Sequence, residues 1–87
     1  MGTETGRPAA GEVSSELTAF LTAGARQPIG PEDDYFALGL VNSLFALELV
    51  TFVERRFGLE VGVEDLDLDH FRTVSRLTDF VLRKTAA

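Results

Sequence analysis

The sequence predicts an all-α domain, a small bundle of three main helices with one short helix added. Apolar residues recur at helical spacing in three segments. Only the stretch 59–63 alternates as a strand does, and a lone strand has no partner. The 87 residues suffice for one domain, and an apolar share of 45% is typical of globular rather than disordered proteins.

The first main helix is predicted over residues 12–23. One of its faces is apolar, with Val13, Leu17, Phe20 and Leu21 at positions i, i+4, i+7 and i+8. Gly24 is predicted to end it, because glycine often follows the last helical residue. Residues 1–11 are rich in Gly, Thr, Ala and Pro without periodicity, and we expect them to form a disordered leader.

A long loop is predicted between residues 24 and 42, where glycine and proline interrupt the helical pattern. A long loop in a small domain needs an anchor. We therefore expect the aromatic pair Tyr35 and Phe36, together with Leu38, to fold back onto the core. Long ordered loops are uncommon and are often functional.

The central helix is predicted from Ser43 to Phe57, with Asn42 as its N-cap and Gly58 as its stop. Its faces follow from a turn of about 100° per residue. The side predicted to face the core carries Ala46, Val50, Val53 and Phe57, flanked by Leu47 and Leu49. The opposite side carries Leu44, Glu48, Thr51 and Arg55.

Phe45 and Phe52 lie one above the other on the flank of this helix, and the sequence leaves two interpretations open. They are core residues on a wide apolar stripe, or they border a docking surface, since exposed aromatic residues mark interaction sites.

The last part of the chain predicts one or two helical turns over residues 64–68. A final helix follows, capped by Thr73, and its apolar face consists of Val74, Leu77, Phe80 and Val81. We expect the folded domain to span residues 12–83 and the tail 84–87 to fray.

Composition excludes several classes of protein. The chain has no cysteine, so disulfides and thiolate metal sites are excluded. Its formal net charge of -6 disfavours nucleic acid and anionic membranes and favours partners with basic patches. No apolar run approaches a membrane span, and the N-terminus lacks a secretory pattern. We expect a cytoplasmic monomer.

No catalytic or metal-binding residue is predicted. His70 is the only histidine, and a surface or capping role is expected for it. The nucleophile elbow pattern fails at Ser43, because Val41 and Phe45 stand where glycines are required. The acidic segment 64–69 lacks the glycine and terminal glutamate of a calcium loop, and a solvated turn is expected there.

Ser43 stands out by its position at the head of the central helix. The first N–H groups of a helix lack internal partners and the dipole there is positive, so a phosphate ester on this serine is favoured electrostatically. By position alone, an ordinary helix-start serine is the favoured interpretation.

The segment Leu38-Gly39-Leu40-Val41-Asn42-Ser43-Leu44 resembles the attachment motif of acyl carrier proteins. In that family a Leu-Gly pair precedes Asp-Ser-Leu, whose serine carries 4'-phosphopantetheine. Similar segments cover roughly residues 12–83: Asp34-Tyr35-Phe36, Leu47-Glu48-Leu49-Val50, Glu54-Arg55-Arg56-Phe57-Gly58-Leu59, and Thr73-Val74 with Leu77. The resemblance implies a non-catalytic carrier: a phosphopantetheinyl transferase modifies Ser43, and the arm holds an acyl group as a thioester.

The resemblance also implies that the helix led by Ser43 docks to partner enzymes. The contact residues it implies are Asn42, Leu44, Phe45, Glu48 and Thr51. Asn42 replaces the family's usual aspartate. Arg55 and Arg56 interrupt its usual acidic stripe, leaving Glu48 and Glu54 to pair with basic residues of a partner.

The string Val41-Asn42-Ser43-Leu44-Phe45-Ala46 resembles a subgroup of stand-alone carriers. These hold a glycerate-derived unit while it becomes a hydroxymalonyl or methoxymalonyl extender for polyketide assembly. The implied partners are an acyl-loading enzyme, dehydrogenases and an acyltransferase or synthase. A peptidyl or aminoacyl carrier and an unmodified helical docking module are the alternatives.

Overall fold

A computed structural model describes residues 9–86 of the chain. Its helices are α1 (Ala10–Ala25), α2 (Ser43–Phe57), α3 (Leu68–Phe71) and α4 (Val74–Thr85), with a 3₁₀ turn at Val63–Asp65. The part described contains no strand, and the predicted all-α class is confirmed. None of these helices has the length and apolar character needed to span a membrane.

Helix α1 begins at Ala10, two residues before its predicted start, so the end of the predicted leader is helical. Residues 1–8 lie outside the described part. The predicted apolar face is correct in outline: Val13, Leu17 and Leu21 are fully buried and Phe20 is half-buried.

The predicted stop at Gly24 is wrong. Helix α1 continues to Ala25, and Arg26 ends it in the left-handed conformation (φ 62°), donating its N–H to the carbonyl oxygen of Thr22 at 2.8 Å. Gly24 lies beneath the ring of Phe45, where a Cβ atom would overlap the ring. This glycine permits a close approach of two helices rather than a chain reversal.

Helix α2 has the predicted bounds, from the Asn42 cap to Gly58, which is left-handed (φ 65°). Its two buried residues are Leu49 and Val53, whereas Ala46, Val50 and Phe57 are half-buried. The placement of Leu47 on the core side is wrong, because its side chain is 66% exposed.

The core lies mainly between α1 and α4. The predicted apolar face of α4 is buried, and the Thr73 hydroxyl caps the helix by accepting from the N–H of Arg76 at 3.1 Å. The helix continues to Thr85, two residues past the predicted end of the domain at residue 83. The tail residue Ala87 lies outside the described part.

Where one or two helical turns were predicted over 64–68, the chain makes the 3₁₀ turn at Val63–Asp65 and then the separate helix α3, which begins at Leu68. Asp67 caps α3 by accepting from the N–H of Asp69 at 3.0 Å. His70 is half-buried and stacks on Phe80, with ring centroids 5.1 Å apart. Its environment is that of a packing residue.

Tyr35 anchors the long loop between α1 and α2. Its buried hydroxyl donates to the carbonyl oxygen of Phe71, and its N–H donates to the carbonyl oxygen of Arg72 at 3.3 Å. Phe36 packs beside it, half-buried, with ring centroids 5.1 Å apart. The predicted anchoring by Leu38 is wrong, since that side chain is 59% exposed.

Candidate functional site

Ser43 is brought to the surface by a turn in the preceding loop. Gly39 is left-handed (φ 71°), a conformation that glycine adopts without strain. The chain then reverses, so that the N–H groups of Leu40 and Val41 donate to the carbonyl oxygen of Tyr35 at 2.9 and 3.3 Å. Because Tyr35 is fixed in the core, the approach to Ser43 is fixed too. Ser43 itself is exposed and is the first residue of α2.

Asn42 closes the start of the helix. Its side-chain oxygen accepts from the N–H of Phe45 at 2.9 Å, and its carbonyl oxygen accepts from the N–H of Ala46 at 3.1 Å. The N–H groups of Ser43 and Leu44 precede the first helical bond and have no partner inside the helix. The first turn of α2 carries no acidic residue. The positive end of the helix dipole therefore favours a phosphate ester on Ser43.

Three phenylalanines, here called the aromatic cluster, join the head of α2 to the end of α1. The half-buried ring of Phe45 lies over Gly24 and stacks on Phe20, with centroids 5.3 Å apart. Phe20 also stacks on Phe52, at 4.2 Å. Phe45 and Phe52 both pack against the core, as the first interpretation of them predicts, and each also lines a surface groove.

The exposed side of α2, here called the front face, consists of Leu44, Leu47, Glu48, Thr51 and Arg55. Four of these are the residues predicted to point away from the core, and all five are exposed. A groove of about 610 Å³ runs beside this face toward α1, bordered by Phe20 and Phe52. The structure thus brings Leu44, Glu48 and Thr51 together on one surface, while Phe45 is turned toward α1.

Two further charged residues of α2 are engaged within the fold. The carboxylate of Glu54 accepts from the N–H of Val61 at 2.8 Å and holds the chain that follows the helix. The Arg56 guanidinium donates to both carboxylate oxygens of Glu16 on α1, with Nε 3.0 Å from Oε1. This pairing holds the pKa of the Glu16 carboxyl below its usual value of 4.5. Glu54, which the sequence left to pair with a basic residue of a partner, thus has one carboxylate oxygen engaged within the fold.

The acidic segment 64–69 is also held by contacts within the fold. Asp65 forms an ion pair with Lys84 at 2.8 Å, which lowers the pKa of the Asp65 carboxyl. Across residues 9–86, no cluster of His, Asp or Glu side chains has an arrangement that could hold a metal ion.

The sequence profile of a family described as "Phosphopantetheine attachment site" matches residues 15–81. The chain belongs to this family. Its members are carriers, generally non-catalytic, that hold 4'-phosphopantetheine covalently and interact with a phosphopantetheinyl transferase and with pathway enzymes. No curated protein matches the chain.

The residues around Ser43 fit the arm of a phosphopantetheine carrier. A groove of about 340 Å³ opens beside the helix start, lined in part by Gly39, Val41 and Asn42. An added Cβ at Gly39 would meet no atom within 4 Å, so the turn leaves open space next to the serine. An exposed hydroxyl, free helix N–H groups and an open approach are what a bulky phosphodiester requires.

Leu47, Arg55 and Gly24 are the residues of this region that the sequence did not assign to the site. Leu47 extends the front face, Arg55 lines its groove, and Gly24 seats Phe45 against α1. Only Arg55 carried a usable signal, as a charge on the face turned away from the core. The roles of Leu47 and Gly24 depend on how α1 and α2 pack together. The spacing of residues within one helix gives no information about that packing.

Proposed function

We propose that Ser43 is the attachment point of the arm and that the chain is an acyl carrier of polyketide extender-unit biosynthesis. The observation that carries the attachment site is the family match over residues 15–81, within which Ser43 is an exposed serine at the head of a 15-residue helix whose first turn holds no acidic residue. When bound, the arm supplies a thiol that this cysteine-free chain lacks, and the thiol holds the acyl group as a thioester.

The chain's own residues would position and expose the serine. Asn42 fixes the helix start through its bond to the N–H of Phe45, and Tyr35 fixes the loop before it. An asparagine caps a helix as well as an aspartate does, so the departure from the family's usual residue keeps this geometry. It also removes a negative charge next to the phosphate that Ser43 would carry.

The cargo we propose is a glycerate-derived unit, on the basis of the resemblance of the segment Val41-Asn42-Ser43-Leu44-Phe45-Ala46 to carriers of such units. The partners are then an acyl-loading enzyme, dehydrogenases that oxidise the bound unit, and an acyltransferase or synthase that accepts it. The carrier would act as a monomer in the cytoplasm, where coenzyme A donates the arm.

Attachment is tested by intact mass after co-expression with a broad-specificity phosphopantetheinyl transferase. We expect the wild type to gain the mass of one phosphopantetheinyl group and Ser43→Ala to gain none. Ser15→Ala is the matched control, because Ser15 is also an exposed serine within a helix, and it should be modified like the wild type. An unmodified wild type, or a modified Ser43→Ala variant, would show that the site is wrong.

Cargo is tested separately on the modified protein, by supplying candidate loading enzymes with glyceryl or aminoacyl donors. The proposal expects a mass increase of one glyceryl group on the arm. An aminoacyl increase alone would favour the peptidyl carrier and reject the extender-unit assignment, while leaving the attachment site intact.

A further inference from the structure

We propose that the front face of α2 binds enzymes whose surface places an apolar side chain in the α1–α2 groove, a cation opposite Glu48 and a carboxylate opposite Arg55. This inference rests on the proposed function, since it names the partner chemistry for the same carrier. It goes beyond that function in requiring a partner surface of both charges rather than a uniformly basic one.

The apolar part of the surface is the groove beside α2. Leu44 and Leu47 border it and are 67% and 66% exposed, while the rings of Phe20 and Phe52 line its α1 side. The Thr51 hydroxyl donates to the carbonyl oxygen of Leu47 at 3.1 Å, so this polar group is already satisfied within the helix. An apolar side chain of a partner would bury the two leucines. This burial favours binding roughly in proportion to the apolar area removed from water.

The charged part of the surface consists of Glu48 and Arg55. Both line the groove, and the ion pairs found within residues 9–86 involve neither of them. The nearby Arg56 is already paired within the fold, because its Nε and one of its terminal nitrogens donate to the two carboxylate oxygens of Glu16. The contrast between adjacent arginines is what singles out Arg55: one holds two helices together and the other faces outward.

The order of the two charges along α2 defines the partner. Glu48 and Arg55 are seven residues apart, which is about 10 Å along a helix axis. Glu48 is nearer to Ser43, so the partner's cation lies on the side of the attachment site and its carboxylate lies two turns away. A uniformly basic surface would set a like charge against Arg55, and such repulsion is how interfaces reject wrong partners.

The test uses the enzyme that loads the modified carrier in the cargo assay and measures KM and kcat for the wild type and four variants. Glu48→Arg and Arg55→Glu each break one predicted pair. The double variant Glu48→Arg/Arg55→Glu inverts the order of charges while keeping the net charge. Arg83→Glu on α4 is the matched control for a single charge change on an exposed helix surface.

We expect each front-face single variant to raise KM by about five- to tenfold with little change in kcat, and the double variant to raise it at least as much. The KM of Arg83→Glu should stay within about twofold of the wild-type value. Added salt should reduce the differences in KM between the variants and the wild type, because it screens the charges. An Arg55→Glu carrier with an unchanged or lower KM, or a double variant equal to the wild type, would overturn the proposal. Far-UV circular dichroism verifies that each variant is folded.

Failure of this inference is distinguishable from failure of the proposed function. Intact mass reports whether the arm is attached. In addition, the affinity of the enzyme for the Ser43→Ala carrier can be measured by titration calorimetry without any arm, with and without Arg55→Glu. If the Ser43→Ala/Arg55→Glu carrier binds the enzyme more weakly than the Ser43→Ala carrier, the mixed-charge surface is supported without the arm. If the two carriers bind equally well, the mixed-charge surface is rejected.

Discussion

The α1–α4 pair and helix α2 differ in how they use their surfaces. Helix α4 buries five of its 12 residues, whereas α2 buries only two of its 15 and leaves a whole face to solvent. Since apolar burial is the main stabilising contribution to folding, α1 and α4 hold the domain together. Helix α2 is fixed at its ends and by the aromatic cluster, which leaves it free to present Ser43 and the front face.

The largest effect is expected when one leucine in each region is replaced by alanine and the losses of stability are compared. Leu77→Ala removes a fully buried side chain from α4 and should cost about 2–5 kcal/mol. Leu47→Ala removes an exposed side chain from α2 and should change stability by less than about 0.5 kcal/mol. Urea unfolding followed by circular dichroism measures both, and equal losses would contradict the division of roles.

Leu47 also shows where helical periodicity stops being informative. The spacing of apolar residues gives the angle between side chains, and it correctly placed Leu49 and Val53 near a buried stripe. It does not say how wide the stripe is, because that depends on how many neighbours pack against the helix. With the core concentrated between α1 and α4, the buried stripe of α2 is too narrow to include Leu47.

The second effect concerns the contact that joins the two regions. Gly24→Ala places a Cβ in the ring of Phe45 and should destabilise the domain by about 1–3 kcal/mol through overpacking. Gly11→Ala, also in α1, has open space around it and should be neutral or stabilising by up to about 1 kcal/mol. The two variants are compared by thermal and urea unfolding. If Gly24→Ala is as stable as Gly11→Ala, Phe45 is not seated against α1.

The sequence predicts a helix stop at Gly24, and the prediction fails there because a glycine can serve either of two structural roles. A glycine allows either a left-handed backbone or the close packing of another residue against the chain. Only the three-dimensional neighbours of the glycine distinguish the two cases. At Gly58 the first applies and the local pattern predicted the helix end correctly. At Gly24 the second applies, and its partner, Phe45, is 21 residues away in the sequence.

The third effect tests the anchor of the loop that positions Ser43. Burial raises the pKa of the Tyr35 hydroxyl above its usual value of 10.0, with a further contribution from Asp34. A raised pKa means that the stabilising contribution is full below pH 10 and is lost as the pH rises above it, because the unfolded chain ionises first. Tyr35 is the only tyrosine, so tyrosinate absorbance against pH reports it alone.

Tyr35→Phe is the matched variant for this anchor. It leaves the carbonyl oxygen of Phe71 without its donor and should cost about 1–2 kcal/mol at neutral pH. Its free energy of unfolding should also fall less than that of the wild type as the pH rises above 10, because it has no Tyr35 hydroxyl to ionise. A wild-type Tyr35 that titrates near pH 10 in the intact fold would show that the loop is not anchored as described.

The smallest effect distinguishes the adjacent arginines of α2. Arg56→Gln should lower the urea midpoint slightly at neutral pH, since exposed ion pairs contribute little, and Arg55→Gln should leave it unchanged. The pKa of Glu16 is lowered by Arg56, so this contribution is present above pH 4.5 and is lost as the pH falls below it. The difference between the two variants should therefore shrink as the pH falls through the lowered pKa of Glu16. A difference that does not change with pH would contradict the Glu16–Arg56 pairing.

The site was predictable in part. Asn42, Ser43 and Gly58 lie in local patterns, so the bounds of α2 and the position of the serine follow from the sequence. The link between Arg56 and Glu16 and the bond from Tyr35 to Phe71 join residues 40 and 36 positions apart, and no local pattern contains them. That Ser43 is a candidate for modification came from family resemblance, because helix-start physics suits many unmodified serines.

Attachment at Ser43 is measured most directly by peptide mapping with tandem mass spectrometry of the wild-type protein after treatment with transferase and coenzyme A. Trypsin cuts after Arg26 and Arg55, and the resulting peptide, residues 27–55, contains Ser43 as its only serine. We expect one phosphopantetheinyl group on this peptide, with fragment ions placing it on Ser43. An arm on a peptide carrying Ser14, Ser15 or Ser75, or on none, would contradict it.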